Sequence, residues 1–355
     1  MKLINGSYKD DCTFLLKDIS DTVSEVSVEE KEKIIRSGIS YSETISKEDK
    51  PTKAREKDFF KMLETHGQKI ADYVAKISEA IYKEKGNDLI IVSLARAGTP
   101  YGILMKKYLR YKYGVETKHY SISIIRGKGV DYNALKYILK NHPKAKIQFV
   151  DAWTGKGSII RELEKSIEIF NRENNQNVDN SLAVIADPAK LSKFYGTRED
   201  IAIPTSILNS TVSGLVSRTI LSDKYIKDNE FHGAKMIDYL KEYDYSQLYI
   251  DRISSLFRKN LENFKFEKED RDYAKDVTIK IKDIYNVDDI NLIKLSVGEA
   301  SRVLIRRKAK MLLLKDISDQ SVRQLVNIAR EKKLEIREYK DSDYKAIAII
   351  EGKDK

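Results

Sequence analysis

The chain has few of the residues that covalent cross-links and metal clusters require. It contains 355 residues but a single cysteine, Cys12. One cysteine excludes an internal disulfide and a cysteine-based structural zinc site, and it favours a reducing, cytoplasmic location. The sequence also lacks an apolar run near the roughly 20 residues that a membrane-spanning helix needs. Residues 1–6 contain no apolar stretch of signal-peptide length, so we expect neither a membrane segment nor secretion.

Charge is abundant, but neither sign dominates. Lys and Arg number 65 and Asp and Glu 55, which gives a net charge of +10. Residues 291–355 hold 16 of the basic and 10 of the acidic residues, so +6 of the net charge lies in this tail. The chain is long enough for two or more domains. We therefore expect a first domain at residues 1–265, a charged linker or helix at 266–284, and a separate basic domain at 285–355.

Helical and strand patterns alternate between residues 58 and 220. Phe59, Leu63 and Ile70 recur at helical spacing, and nearly continuous apolar runs typical of buried parallel strands follow. The strand patterns lie at residues 89–94, 117–125, 147–150 and 182–186. Strands that alternate with helices predict an α/β fold, with a mainly parallel sheet flanked by helices. In such sheets a ligand binds beyond the carboxyl ends of the strands.

The loop at residues 151–158 is the strongest candidate for a ligand site. It follows an apolar strand, begins with Asp151 and leads through Thr154-Gly155-Lys156-Gly157-Ser158 into an amphipathic helix. Converging backbone N–H groups and the helix N-terminus suit a phosphate. The loop is not the triphosphatase P-loop, because Lys156 precedes Gly157 and no glycine lies at the required distance upstream. A preceding acid suits a sugar phosphate, and the alternative is a plain strand-to-helix turn.

The turn at residues 95–100 offers a second anion site. Arg96 lies between alanines just past a buried strand, and Gly98 and Pro100 follow it. A tight turn here can direct backbone amides and a guanidinium at a pyrophosphate. The alternative is a capped turn with Arg96 in a surface ion pair.

Together these loops resemble those of the type I phosphoribosyltransferases, over roughly residues 85 to 220. In that family an Arg-Ala-Gly or Arg-Gly-Gly turn binds pyrophosphate, and an acidic strand-loop-helix binds the ribose 5-phosphate. The resemblance implies phosphoribosyl pyrophosphate as the ligand, Mg²⁺ as the cofactor, and transfer of phosphoribose to or from a base-like acceptor. A hood built from residues 1–60 or 200–235 would grip that acceptor, whose identity stays open.

The resemblance also implies roles for single residues. The expected catalytic residues are Arg96 for pyrophosphate, Asp151 for the ribose hydroxyls and Asp187 for base or metal. The expected ligand-binding residues are Ala97, Gly98, Thr99, Arg126, Lys128, Thr154, Gly155, Lys156, Gly157 and Ser158. Arg126 and Lys128 lie on a Gly-spaced loop that could close over the pyrophosphate, and the alternative is a basic surface loop. For Asp187 the alternative is a capping acid before Pro188.

One departure from the family pattern keeps a second function open. The family usually has two adjacent acids before the Thr-Gly turn, whereas this chain has Val150-Asp151-Ala152. The alternative is therefore a non-catalytic nucleotide-sensing or RNA-binding protein with a degenerate phosphoribosyltransferase fold.

The basic tail predicts a small α/β unit with a helix that opens at Gly298-Glu299 and strands at 309–314 and 344–350. It resembles the RNA-binding domain of the Pelota and kink-turn-binding ribosomal protein superfamily. The resemblance implies a phosphate-contacting cluster formed by Arg302, Arg306, Arg307, Lys308 and Lys310. Structured RNA is the expected partner, because stacking aromatics are absent. The alternative is a solvated basic helix on a small interaction domain.

The order of these parts resembles a bacterial family found in tellurite-resistance and stress-response gene clusters. Gly6-Ser7-Tyr8, Phe14-Leu15-Leu16 and motifs within residues 30–43 carry the N-terminal part of the match. Members are thought to help make a nucleoside-like metabolite, and some are labelled cysteine proteases. No histidine lies near Cys12 in the sequence, so we expect a small buried residue and leave a Cys/His pair in space open. A homo-oligomer is left open as well.

Overall fold

The structure, a computed structural model, describes residues 1–27, 30, 44–259 and 264–351, without the side chains of Lys9, Ile305 and Arg306. The motifs predicted within residues 31–43 lie outside the described residues. Its strands are β1 (Thr13–Phe14), β2 (Lys17–Asp18), β3 (Glu25–Val26), β4 (Ile45–Ser46), β5 (Leu89–Leu94), β6 (Lys118–Ile122), β7 (Ile124–Ile125), β8 (Gly129–Val130), β9 (Lys146–Trp153), β10 (Leu182–Ala186), β11 (Phe194–Thr197), β12 (Gly233–Ala234), β13 (Ile293–Leu295), β14 (Ala309–Leu314), β15 (Glu335–Glu338) and β16 (Ala346–Ile350).

The α-helices of the same ranges are α1 (Lys53–Lys85), α2 (Thr99–Tyr113), α3 (Tyr132–Asn141), α4 (Ser158–Asn174), α5 (Pro204–Ile207), α6 (Ser246–Ser254), α7 (Tyr273–Ile284), α8 (Val297–Arg306) and α9 (Arg323–Glu331). None of the helices described is long and apolar enough to cross a membrane.

The main sheet has the order β1-β6-β5-β9-β10-β11, and every neighbouring pair in it is parallel. Its central strand β5 is buried along its whole length. Ile91 packs into the cluster that contains α1 and α2, whereas Val92 packs into the cluster that contains α3 and α4. Helices therefore cover both faces of the sheet, which explains the continuous apolar run at residues 89–94. The predicted α/β fold is confirmed.

The strand order reverses direction at the centre of this sheet. The chain passes from β5 to β6 on one side, and β9 then pairs with the other side of β5. Ligands of open α/β sheets bind at such a switch point, in the crevice beyond the carboxyl ends of the two strands. The two loops that follow β5 and β9 are the two loops that the sequence predicts to bind a ligand.

A smaller unit lies beside the carboxyl ends of β5 and β6. Strand β2 pairs with β12, and β3 pairs with β4. Ile19 and Ile45 share a small apolar cluster with Ile220 and Ile226. The structure thus brings together both of the ranges from which the sequence predicts a hood.

The C-terminal domain contains a sheet in the order β13-β16-β14-β15. The β13/β16 and β14/β16 pairs are antiparallel and β14/β15 is parallel. Helices α8 and α9 pack on one face of this sheet, where Leu304 and Leu325 join Leu312. Helix α7 packs Val277 and Ile281 on the other face, so the predicted linker or helix at 266–284 is largely a helix of this domain. The predicted small α/β domain is confirmed.

Candidate functional site at the switch point

The loop after β9 is fixed at its start and at its end. Thr154 is buried, its N–H donates to Ala186 O at 2.9 Å, and its hydroxyl donates to Asp187 Oδ1 at 2.5 Å. Gly157 has a φ of +81°, and a Cβ there would lie 2.1 Å from Leu191 Cδ1. Glycine adopts this positive φ readily, and it has no Cβ that would contact Leu191. The turn predicted from the sequence is therefore present and leads directly into α4.

The backbone amides of this loop point to an anion. Within the part of the chain that the structure describes, the N–H groups of Gly155, Lys156, Gly157 and Ser158 have no hydrogen-bond acceptor. Helix α4 continues for 17 residues from Ser158, so its dipole adds partial positive charge at the same place. A phosphate oxygen is the acceptor that such a set of donors fits.

Asp151 lies at the end of β9 beside this loop and is half-buried. Its Oδ1 accepts a hydrogen bond of 2.8 Å from the N–H of Ala152. Burial raises the pKa of the Asp151 carboxyl to about 7, while the hydrogen bond from Ala152 and the charge of Arg302 oppose this rise and Glu299 adds to it. The carboxyl therefore titrates near neutral pH and can change charge when a ligand binds.

The loop after β5 touches the strand that carries Asp151. A Cβ at Gly98 would lie 2.3 Å from Val150 O and 3.0 Å from Asp151 Cα, so only glycine allows this contact. The Thr99 hydroxyl is buried and lies 2.8 Å from Ser121 Oγ. The N–H groups of Gly98 and Thr99 donate within their own turn, and Ala97 is half-buried beside them. The two loops predicted to bind one ligand are thus adjacent.

The side chain of Arg96 turns away from the loop after β9. Its Nη1 donates to Val216 O at 2.8 Å, and its Nη2 forms an ion pair with Glu48. Glu48 also accepts a hydrogen bond of 2.8 Å from Ser210 Oγ. The Ala95–Arg96 peptide bond is cis. Arg96 therefore binds the hood in this structure, in a largely buried ion pair rather than the surface pair of the alternative interpretation.

Arg126 and Lys128 lie on a tight hairpin formed by β7 and β8, not on an open loop. The N–H of Gly127 donates to Glu162 Oε2 at 2.8 Å, which anchors the hairpin to α4. Arg126 Nη2 donates to Asn291 Oδ1 at 2.7 Å, whereas Lys128 is exposed. The hairpin places Arg126 at the boundary with the C-terminal domain.

Asp187 is fully buried and is surrounded by protein donors. It accepts hydrogen bonds from the hydroxyl of Thr154 at 2.5 Å and from the N–H groups of Ser192 at 2.8 Å and Leu191 at 3.3 Å. It also forms an ion pair with Arg198. Burial raises the pKa of Asp187 to about 6, and the nearby Arg198 charge opposes this. These contacts favour the alternative interpretation, in which Asp187 is a capping acid. Its carboxylate positions Thr154 and thereby the loop after β9.

The C-terminal domain packs directly on the loop after β9. A Cβ at Gly155 would lie 2.8 Å from Glu299 Cγ and 3.2 Å from Leu295 O, and a Cβ at Gly298 would lie 2.7 Å from Trp153 Nε1. The Tyr344 hydroxyl donates to Gly155 O at 2.9 Å. Sequence reasoning did not find this junction. The single tryptophan of the chain, inside the predicted loop, was the one available clue.

Asp200 of the first domain binds backbone N–H groups of the C-terminal domain at the start of α8. Its buried carboxylate accepts hydrogen bonds from the N–H of Val297 at 2.9 and 3.0 Å and from the N–H of Lys345 at 2.9 Å. The acid lies at the N-terminus of α8, where negative charge stabilises a helix. Burial raises the pKa of Asp200 to about 7, although these hydrogen bonds oppose the rise.

The predicted RNA-binding cluster is divided. Arg302 pairs with Glu299 at 3.2 Å and lies 5.8 Å from the centre of the Trp153 ring, at the domain junction. The exposed members of the cluster are Arg307, Lys308 and Lys310. Lys308 pairs with Glu351 at 2.7 Å. The side chain of Arg306 lies outside the described residues.

Comparison with known proteins identifies the family. A family model described as "Tellurite-like stress resistance cysteine protease StiP" matches residues 6–254. The curated cysteine protease StiP of Acinetobacter baylyi (strain ATCC 33305 / BD413 / ADP1) is 34% identical over 366 aligned residues, which cover 98% of this chain and 94% of that protein. The chain belongs to the StiP family. The predicted resemblance to a stress-resistance family is confirmed.

Two further matches concern the parts of this StiP-family chain. A model described as "PELOTA RNA binding domain" matches residues 273–352, which include α7 and confirm the predicted resemblance of the tail. A hypoxanthine phosphoribosyltransferase from Trypanosoma cruzi, solved in complex with the product IMP, matches with a TM-score of 0.26 at 10% identity. That match covers 50% of this chain and 91% of the other. A TM-score this low does not establish a common fold.

The cysteine of this StiP-family chain lies near a histidine after all. Cys12 and His119 both line a cavity of about 160 Å³. The two do not form a hydrogen-bonded pair in the described part of the chain, since His119 Nε2 lies 2.9 Å from Ser93 Oγ and Nδ1 lies 3.3 Å from Asp11 O. Burial lowers the pKa of His119 to about 3 and raises the pKa of the Cys12 thiol well above its usual range. In this arrangement the thiol stays protonated.

Proposed function

We propose that the chain binds phosphoribosyl pyrophosphate at the switch point and transfers its phosphoribosyl group to or from a base-like acceptor. One observation carries the proposal: the loop after β9 presents four backbone amides without an acceptor among the described residues, next to Asp151, whose carboxylate accepts one hydrogen bond there, from the N–H of Ala152. The topology adds support, because this loop lies where α/β sheets bind ligands.

Each part of the ligand has a matching group. The 5-phosphate would accept hydrogen bonds from the amides of residues 155–158 and lie at the N-terminus of α4. Asp151 would accept from the ribose hydroxyls. The pyrophosphate would lie between the turn at Gly98 and Arg126, and Arg96 would contribute after it leaves Glu48.

Mg²⁺ fits this set of residues. Asp187 is occupied by protein donors, whereas the one hydrogen bond to the Asp151 carboxylate in the described ranges comes from its neighbour Ala152. One protein carboxylate together with ligand phosphate oxygens is a common set for Mg²⁺. Asp151 is the residue that would hold the ion. When bound, Mg²⁺ would neutralise negative charge on the pyrophosphate.

The transfer is a displacement at C1 of the ribose. The C1–oxygen bond to pyrophosphate breaks, pyrophosphate leaves with the bonding electrons, and a ring nitrogen of the acceptor forms the new bond to C1 and loses its proton to solvent. Such a reaction develops positive charge on the sugar, so the carboxylate of Asp151 would stabilise it. The protein otherwise contributes position, with the hood placing the acceptor.

Titration calorimetry with phosphoribosyl pyrophosphate and Mg²⁺ tests the binding step. We expect binding to the wild-type chain and an affinity about tenfold or more weaker for Asp151→Asn, because the amide is a poorer acceptor than a carboxylate. Asp251→Asn is the matched control, since Asp251 is exposed on α6. Release of pyrophosphate in the presence of a panel of nucleobases tests the transfer. Absence of binding by the folded wild-type chain would overturn the proposal and favour the degenerate fold.

We propose structured RNA as the partner of the C-terminal domain. The exposed cations Arg307, Lys308 and Lys310 and the match to a PELOTA RNA binding domain support this. Phosphate contacts make affinity fall with salt, so removal of Arg307 should weaken binding of a hairpin RNA and reduce the salt slope by about one ion. RNA binding with an unchanged slope would exclude Arg307 from the interface.

Thiol chemistry at Cys12 is the second candidate function, favoured by the cavity that Cys12 shares with His119 and by the name of the Acinetobacter relative. A catalytic thiol reacts as the thiolate and is alkylated rapidly at neutral pH. Because burial holds this thiol protonated, we expect slow alkylation by iodoacetamide in the native chain and rapid alkylation after unfolding. Rapid native alkylation that His119→Asn abolishes would favour the protease function.

A further inference from the structure

Strand β13 of the C-terminal domain runs over the proposed phosphate loop. Leu295 O lies 3.2 Å from the position of a Cβ on Gly155. Two basic side chains of the first domain reach across to the residues just before β13: Lys156 Nζ donates to Ile290 O at 2.7 Å, and Arg126 Nη2 donates to Asn291 Oδ1 at 2.7 Å. Lys294, in the middle of β13, therefore lies at the same junction.

Three cations lie at this junction: Lys156, Arg126 and Lys294. Lys294 is half-buried, and in the described ranges its ammonium group has neither a hydrogen bond nor an ion pair. Burial lowers the pKa of Lys294, and Arg307 and Arg126 lower it further while Glu299 and Asp289 oppose them. Burial likewise lowers the pKa of Lys156 to about 8, with Lys294 and Arg126 adding to the effect. Lys156 and Lys294 are both half-buried, and like charges that approach each other in partial burial are unfavourable unless an anion neutralises them.

The nearby acids do not neutralise these three cations, because their carboxylates bind other groups. Glu299 is engaged with Arg302, and Asp289 caps its own turn by accepting from the N–H of Asn291 at 2.7 Å. Arg96, the residue expected to bind pyrophosphate, is held by the hood through Glu48. Arg161 donates to Lys156 O at 2.7 Å from the first-domain side of this loop. The cations where the loop meets the C-terminal domain are Lys156, Arg126 and Lys294, and the last comes from the other domain.

We propose that Lys294 of the C-terminal domain is an anion-binding residue of the switch-point site, where it joins Lys156 and Arg126 in binding the phosphate groups of the ligand. The inference rests on the proposed function and extends it: the site is completed across the domain junction, and its ligand carries more than one phosphate. The same chemistry would accept the pyrophosphate of phosphoribosyl pyrophosphate or the 5′-phosphate of an RNA end.

The test uses the full chain and two kinds of probe. Calorimetry measures the affinity for inorganic pyrophosphate and for phosphoribosyl pyrophosphate with Mg²⁺, and a second titration uses one hairpin RNA with either a 5′-phosphate or a 5′-hydroxyl. Lys294→Met removes the charge and keeps the apolar stem, and Lys294→Arg restores a cation. Lys280→Met is the matched control, because Lys280 is exposed on α7. Circular dichroism verifies that each variant is folded.

We expect Lys294→Met to weaken binding of both small anions by about tenfold or more, while Lys294→Arg and Lys280→Met stay within about twofold of wild type. Equal binding by wild type and Lys294→Met would overturn this inference and leave the proposed function standing. Failure of the wild type to bind either small anion would instead overturn the proposed function. If the wild type binds neither small anion, the RNA titration decides the role of Lys294. A preference for the RNA with a 5′-phosphate that Lys294→Met loses supports an anion site with RNA as its source. Equal binding of both RNAs would then overturn the anion-binding role of Lys294.

Discussion

The loops after β5 and β9 lie side by side, yet their polar groups are used in opposite ways. The loop after β5 directs Arg96 to Glu48 and Val216, so its charge is neutralised by the hood. In the described ranges the loop after β9 leaves four amides without an acceptor, and its Lys156 and the nearby Arg126 donate to residues of the C-terminal domain. A motif fixes where a backbone turns, but the surrounding segments decide whether its side chains bind the protein or a ligand. In this structure the side chain of the first loop therefore binds the protein, whereas the amides of the second loop are the donors of the proposed phosphate site.

The largest expected effect is on the free energy of unfolding, and it comes from disrupting the contact between the two loops. Gly98→Ala places a methyl 2.3 Å from Val150 O, which forces the loops apart. Because backbone cannot move as a flexible side chain does, we expect a loss of about 3 kcal/mol in the free energy of unfolding. Urea denaturation measures it. Gly86→Ala is the control, because open space surrounds Gly86 and only its φ of +68° opposes the substitution. A smaller loss for Gly98→Ala than for Gly86→Ala would contradict the close contact.

Arg96→Ala tests the first loop alone. The ion pair with Glu48 is largely buried, with side-chain exposures of 11% and 15%. Removal of the arginine takes its positive charge away from a largely buried carboxylate, so we expect a loss of about 2 kcal/mol in the free energy of unfolding. The double variant with Glu48→Gln should recover part of this loss, which a double-mutant cycle measures. Equal stability of wild type and Arg96→Ala would mean that the pair contributes nothing.

The pH dependence of ligand affinity tests the role of Asp151 beside the loop after β9. The Asp151 carboxyl has a pKa of about 7, and the ionised form is the one proposed to accept from the ribose hydroxyls. Ligand affinity should therefore rise about tenfold between pH 6 and pH 8, as the carboxyl loses its proton. Calorimetry at a series of pH values measures this. Asp151→Asn should remove the rise, and a rise that persists in that variant would assign it to another group.

The stability of the unliganded chain should change with pH in the opposite direction. The pKa of Asp151 in the folded chain is raised above the value near 4 expected for the unfolded chain, so the folded state binds more protons between these values. By linkage, the contribution of Asp151 to stability is full below about pH 4 and is lost as the pH rises through 7. Asp200 has the same sign. Urea denaturation at pH 5 and pH 8 should show a smaller difference in Asp151→Asn than in wild type.

The sequence predicts those features of the site that are local. The apolar run of β5 and the glycine turn after β9 follow from residues that are neighbours in the chain, and the structure contains both. The partner of Arg96 is 48 residues away, and the acid that caps α8 is 97 residues away. Neither Glu48 nor Asp200 belongs to a motif, because their roles arise only when distant segments pack.

Two other predictions from the sequence differ from the structure for a related reason. The Gly-spaced loop of Arg126 and Lys128 is a hairpin because Glu162, on a helix that follows it, anchors Gly127. The basic cluster of the tail divides because Trp153 of the first domain lies against the start of α8. Periodicity and composition identify which residues are basic or flexible, but packing between domains decides which surface they face.

Trp153 offers the smallest and most direct test of how the second loop meets the C-terminal domain. It is the only tryptophan in the chain, it is half-buried, and Gly298 and Arg302 lie against it. An RNA that binds the start of α8 must displace Trp153, so its fluorescence should shift to longer wavelength as RNA is added, whereas pyrophosphate should change the intensity without such a shift. Trp153→Phe should abolish both signals and, by weakening the junction, should raise RNA affinity by about threefold. RNA binding without a wavelength shift would place the RNA on Arg307 and Lys310 alone, and the two surfaces of the C-terminal domain would then act independently.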